Sequence, residues 1–182
     1  MVEKALAGPA DVVILDVEDS VAPAAKDDAC RTIVAALREA DPGEVGPEVT
    51  VRVNPLSIRG RRDVSMIAEA GDRVAGVVLP MVRDASDVDD LVDSVDANGL
   101  DAVVLPIVET PAALFRIESI ATHPRVGGLE FGAEDFTTAL RATPSSERDE
   151  VLYARQKVSA AASMAGIDAI DMAWPDFTDE EG

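Results

Sequence analysis

Two carboxylates, Glu109 and Asp135, each follow a short apolar run, in IVET (Ile107–Thr110) and in GAED (Gly132–Asp135). Carboxylates at two adjacent strand ends supply the one or two oxygen ligands that Mg2+ takes, leaving its other positions to water and substrate. A local reading competes: in so acidic a chain, Glu109 can favour a helix N-terminus and Asp135 can cap one. Arg52 interrupts an apolar strand in VRVNP. A guanidinium there needs an anion, and its fork matches a carboxylate; the partner is a substrate acid, or else Glu18 or Asp16 across the barrel. Asp16 and Glu18, two apart in LDVEDSV (Leu15–Val21), share one face of a strand. They can orient Arg52, waters around a metal, or Lys26. Asp19 reads as a loop or capping acid.

Other chemistries lack their parts. The single histidine, His123, precedes Pro124 and reads as a loop residue, so no Ser-His-Asp set assembles around it. One cysteine and one histidine give no zinc spacing. Neither GxGxxG nor GxxxxGK[ST] occurs, which disfavours dinucleotide and P-loop chemistry. Cys30 falls on the apolar stripe of a predicted helix and reads as a small buried hydrophobe; with no second cysteine, a reducing compartment is expected.

Six apolar runs would position these residues: Asp11–Leu15, Val49–Val53, Val74–Leu79, Ala102–Val108, Gly128–Phe131 and Ile167–Ile170. Rich in Val, Ile and Leu without polar alternation, most read as parallel strands buried on both faces. Between them, Ala29, Ile33, Val34 and Leu37 recur at helical spacing, as do Ala85, Val88, Leu91, Val92 and Val95. Asp87, Asp89, Asp90, Asp93 and Asp96 make the solvated face of the second helix. Asp41-Pro42-Gly43 closes the first helix, Thr110-Pro111 opens another, and Gly166 ends a long one near Tyr153–Ala165. Repeated strand–helix units imply an α/β fold. In a (β/α)8 TIM barrel, polar residues after the strand ends (Glu18, Arg52, Glu109, Asp135, Asp171) converge on one rim, although such a barrel typically needs about 250 residues.

The 182 residues carry 35 acids against 16 Lys and Arg, a net charge of −19. With 47% hydrophobic residues the chain is no disordered acidic tail, and a nucleic-acid partner would meet a repulsive field. Lysines number three (Lys4, Lys26, Lys157) and the acids are dispersed, the pattern expected in a salt-loaded cytoplasm, where screening over roughly 3 Å at 1 M salt relieves self-repulsion. A merely acidic protein from ordinary salt is the alternative. No run of 18 apolar residues and no leader pattern occur, so a soluble, cytoplasmic protein with no membrane partner is expected.

Five segments in order, DVVILDVEDSVAPAAKDDACR, VRVNP, IVETPAAL, HPRVGGLEFGAEDF and AGIDAIDMAWPDFTDEEG, together resemble the citrate lyase β-subunit-like family of the HpcH/HpaI aldolase superfamily, which includes malyl-CoA, methylmalyl-CoA and citramalyl-CoA lyases. The resemblance runs from about Lys4 to Gly182. It implies a (β/α)8 barrel and a Mg2+-dependent lyase that cleaves or forms a C–C bond next to a CoA thioester, yielding a 2-oxo acid. Family metal ligands match Glu109 and Asp135, and the substrate-carboxylate arginine matches Arg52. Glu18, Asp19 and Lys26 match the acidic loop and following lysine that border the site. The backbone N–H groups around Gly132, Ala133 and Glu134 would lie near the keto acid.

The resemblance also implies a homo-oligomer, a trimer or hexamer. Residues 1–182 then form one barrel domain truncated at both ends, lacking the family's first strand with its Pro-Gly turn and basic residue, and its eighth strand with the C-terminal segment. Met81 stands where relatives often carry lysine. A pyruvate-type aldolase of the same superfamily, and an impaired barrel acting as a binding or scaffold protein, are the alternatives.

Overall fold

A computed structural model describes residues 1–40 and 46–171. After a short helix α1 (Val2–Leu6) the chain alternates β1 (Val12–Asp16), α2 (Lys26–Glu39), β2 (Glu48–Arg52), α3 (Gly60–Ile67), β3 (Gly76–Leu79), α4 (Ala85–Ala97) and β4 (Val103–Val108). Two short helices, α5 (Pro111–Phe115) and α6 (Ile117–Ala121), lead to β5 (Gly128–Phe131). Helices α7 (Ala133–Leu140) and α8 (Asp149–Ala165) precede β6 (Asp168–Ile170). The strands form one parallel sheet in the order β1-β2-β3-β4-β5-β6. Sequential order in a twisted parallel sheet curls it into part of a TIM-barrel-like wall.

Each of the six apolar runs overlaps a strand. On α2, Cys30, Ile33, Val34 and Leu37 are buried at the predicted spacing. On α4, Val88, Leu91 and Val95 are buried, each contributing roughly 1.5–3 kcal/mol, while Asp89, Asp90, Asp93 and Asp96 face solvent. Thr110 caps α5 by accepting the Ala113 N–H at 3.0 Å, and Pro111 needs no partner in the first turn. Gly166 ends α8 in the left-handed conformation, φ 72°, which glycine adopts without a Cβ clash. Helices α3 and α7 have no counterpart in the periodicity reading. The buried stripe of α3, Gly60, Asp63, Val64 and Ile67, is helical in spacing, but half of it is a glycine and an acid, which an apolar pattern does not reveal; that of α7 includes Thr137. The predicted stop at Asp41-Pro42-Gly43 and the segment from Met172 onward lie outside the described residues.

The two faces of the sheet differ. Leu15, Val51, Val77, Val104 and Leu129 join the helices in the main core. The concave face carries Val78, Leu105 and Ile107 as a small separate cluster, together with Asp16, Arg52 and Glu130. Burial on both faces was expected, but Val12, Ile14 and Val103 on the concave face are exposed. The helices pack against the convex side, and the concave face forms a cup.

Candidate active site

The chemistry-bearing residues gather where the parallel strands end. Asp16 and Arg52 are register partners at the ends of β1 and β2. Arg52 gives Nε to Asp16 Oδ1 at 2.9 Å and Nη2 to Asp16 Oδ2 at 2.6 Å, a bidentate fork. Its Nη1 stands 3.5 Å from Glu18 Oε2. Of the two partner classes open at the sequence level, the protein's own acids are found, and Asp16 lies on the neighbouring strand, not across a barrel. Burial would raise the Asp16 pKa, but hydrogen bonds from Arg52, Ser20 and the Glu18 amide hold it well below the usual carboxylate range. Glu18 behaves oppositely: burial raises its pKa, with Arg52 pulling against the rise.

Glu109 follows β4 and is 4% exposed. One carboxylate oxygen accepts the Met81 N–H at 2.5 Å, and among the described residues no lysine or arginine is ion-paired with it. Burial pushes its pKa up to about 7, and the negative charges of Asp135 and Glu18 add to the rise. Met81 adopts a left-handed backbone, φ 58°, which costs a non-glycine residue roughly 1–2 kcal/mol and here aims its amide at Glu109. Gly132 lies on the other side: a Cβ there would come within 2.7 Å of both Glu109 Cβ and Oε2.

Asp135 lies in the first turn of α7, exposed, so its carboxylate also suits the helix dipole. Its negative charge acts on Glu109. Among the described residues, no group of three or more His, Cys, Asp or Glu is arranged to hold a metal. The pair supplies two carboxylates, the number Mg2+ commonly takes from a protein. A buried carboxylate with no ion-paired lysine or arginine among the described residues, within electrostatic reach of a second, is a donor set that suits this ion.

The remaining expected residues divide. Lys26 Nζ donates to the Glu18 carbonyl at 3.0 Å and to Asn54 Oδ1, so it holds the acidic loop. Asp19 is exposed, and its amide donates to Glu18 Oε2 at 3.1 Å. The Gly132 N–H is already given to the Val108 carbonyl at 3.3 Å. That leaves the Ala133 and Glu134 amides, which open α7 and have no intrahelical acceptor. The exposed Glu134 carboxylate pairs with Arg148 at 3.0 Å. His123 meets Asp89 at 3.2 Å, away from the strand ends.

Three residues escaped the sequence reading. Asn54 and Asp63, both buried, tie Lys26 in place. Glu130 points into the cup from β5 with Oε2 buried and unpartnered; burial raises its pKa, with Arg52 opposing. The signal for Glu130 was present, an acid inside the apolar run GLEF, the same anomaly that marked Arg52.

A curled parallel α/β sheet with carboxylates and an arginine gathered at its C-terminal rim defines the class of barrel-type enzymes that work at that rim. Comparison makes this specific: residues 1–182 match the HpcH/HpaI aldolase/citrate lyase family, and the chain belongs to it. It is 35% identical over 191 residues to the citrate lyase subunit beta of Escherichia coli strain K12, covering 100% of this chain and 62% of that protein. It is 33% identical over 189 residues to the mitochondrial citramalyl-CoA lyase of Mus musculus, covering 94% of this chain and 55% of the relative. The chain thus spans somewhat over half the length of these relatives. A solved citrate lyase beta subunit from M. tuberculosis, complexed with oxaloacetate and magnesium, superposes with a TM-score of 0.79 at 27% identity, covering 97% of this chain and 76% of that one. Among the described residues, no helix is long and apolar enough to cross a membrane.

Proposed function

We propose that this chain carries the metal-binding half of a (β/α)8 Mg2+-dependent carbon–carbon lyase, which cleaves or forms a 3-hydroxyacyl-CoA-type thioester (malyl, citramalyl or citryl) to an acyl-CoA and a 2-oxo acid. The observation that carries the reading is Glu109, buried after β4 with no ion-paired lysine or arginine among the described residues and within electrostatic reach of Asp135 in the first turn of α7. The citrate lyase and citramalyl-CoA lyase relatives, and the relative solved with oxaloacetate and magnesium, support it.

Glu109 and Asp135 would hold the ion. When bound, Mg2+ supplies Lewis-acid stabilisation of the charge that develops on the carbonyl oxygen of the 2-oxo acid. Arg52, its Nε and Nη2 committed to Asp16 and its Nη1 3.5 Å from Glu18 Oε2, would offer Nη1 to a substrate carboxylate in exchange for Glu18. Asp16 fixes the plane of that fork. Glu18, whose pKa is raised by burial, keeps a proton at higher pH than an exposed glutamate and is placed beside Arg52 to give or take one. Asp19 orders the Glu18 carboxylate through its amide, and Lys26 pins the same loop. The Ala133 and Glu134 amides, in the first turn of α7 after Gly132, would donate to the keto acid. The protein acts in the cytoplasm as a homo-oligomer, a trimer or hexamer.

The test is release of acetyl-CoA or propionyl-CoA from malyl-, citramalyl- and citryl-CoA, with Mg2+ and high KCl. Thioester cleavage that chelation abolishes is expected. Release of pyruvate from a CoA-free substrate would point to the aldolase, and Mg2+ binding with neither product to a binding protein. Light scattering on the same sample reads the oligomer.

A further inference from the structure

Lys26 is the first residue of α2, where a cation opposes the helix dipole. Two acceptors hold it there, the Glu18 carbonyl at 3.0 Å and Asn54 Oδ1. Asn54 has no freedom to turn away. Its Nδ2 donates to the Val17 carbonyl at 2.9 Å and to Asp63 Oδ2 at 2.6 Å, and its backbone N–H reaches the same Asp63 oxygen at 3.0 Å. With both acceptors on the NH2 side, Oδ1 must face Lys26.

Asp63 is fully buried on α3, and Arg59 balances its charge through Nε at 2.7 Å. The approach is close enough to require glycine where α3 begins: a Cβ at Gly60 would lie 2.2 Å from the Asn54 carbonyl oxygen. Two successive carbonyls of the acidic loop, Val17 and Glu18, are therefore held by one relay rooted in α3. The side chains flanking them, Asp16 and Glu18, are the ones that face Arg52.

We propose that Asp63, outside the site and without access to any ligand, is a positioning residue: acting through Asn54, it fixes the Lys26 ammonium and the Val17–Glu18 backbone, and so sets where Glu18 and Arg52 stand. The inference does not depend on the chain being a thioester lyase. A buried carboxylate that merely stabilised α3 would not control the environment of a lysine on α2.

With only Lys4, Lys26 and Lys157 in the chain, acetylation of each lysine can be followed separately by peptide mass spectrometry on the native protein. In the wild type Lys26 should label about tenfold or more slowly than Lys4 and Lys157, the equivalent of one hydrogen bond from a charged group. Asp63→Asn should raise the Lys26 rate towards that of Lys4 and leave the other two unchanged. Val64→Ala, a core truncation at the neighbouring fully buried position, should lower Tm while Lys26 stays slow. Asn54→Ser removes Oδ1 but keeps the backbone N–H to Asp63, and should release Lys26 even if Asp63→Asn does not fold. Lys26 remaining slow in a folded Asp63→Asn or in Asn54→Ser, or accelerating equally in Val64→Ala, would overturn the proposal.

Discussion

Gly132 sits directly against Glu109, with room for a hydrogen but not for a methyl group: an added Cβ would stand 2.7 Å from the glutamate Oε2. The strand-end acid from β4 and the start of α7 therefore share one space. Gly132→Ala should push the Glu109 carboxylate aside, weakening Mg2+ binding by about 10–100-fold, as loss of ligand orientation does elsewhere. The overpacking should cost ~1–3 kcal/mol in stability. Titration calorimetry with Mg2+, beside a thermal melt, separates the two effects. Unchanged affinity would remove Glu109 from the metal site.

Burial of Glu109 ties stability to pH. Its folded pKa, about 7, lies above the ordinary 4.5, so between those values the folded state binds more protons than the unfolded one. The stabilisation is fully present below pH 4.5, falls as pH rises through 7, and is lost above it. The loss is of order 3 kcal/mol at most for the metal-free chain. Glu109→Gln should flatten the slope of Tm against pH in that window. Glu18 and Glu130, also raised by burial, account for what remains.

The Asp16–Arg52 fork should register in a double-mutant cycle. Asp16→Asn, Arg52→Gln and the double variant, unfolded in urea at pH 7, should give a coupling of about 1–3 kcal/mol. Arg52→Lys should retain part of the stability but lose the planar fork, raising KM for a carboxylate substrate more than it changes Mg2+ affinity.

Self-repulsion among the exposed acids predicts a response to salt. With a net charge of −19 and an α4 face of Asp89, Asp90, Asp93 and Asp96, Tm should climb as KCl rises to molar levels. A midpoint independent of KCl would refute adaptation to a salt-loaded cytoplasm.

Much of the architecture was legible in the residues alone. Six apolar runs, the stripe Cys30–Ile33–Val34–Leu37, the Thr110 cap and the Gly166 stop report local periodicity and local hydrogen bonding, which neighbours along the chain determine. The charges of Glu109 and Arg52 stood out for a related reason: charge at the end of, or inside, an apolar strand is an anomaly that a short window reveals, whereas Asp135, read as a strand-end acid, lies in the first turn of α7. The brief helices α3 and α7 gave no such signal.

Partnership was another matter. Whether Arg52 meets a substrate or its own chain depends on the β1–β2 register, which sets Asp16 beside it. Met81 reaches Glu109 from 28 positions away, and Asp63 reaches Lys26 only through Asn54. Such contacts join residues on different strands and helices, brought together only when the strands pair and their register is set. Sequence determined which groups carry charge in apolar places; tertiary structure decided which charge meets which, because hydrogen bonds act over about 3 Å in space, whatever the separation along the chain.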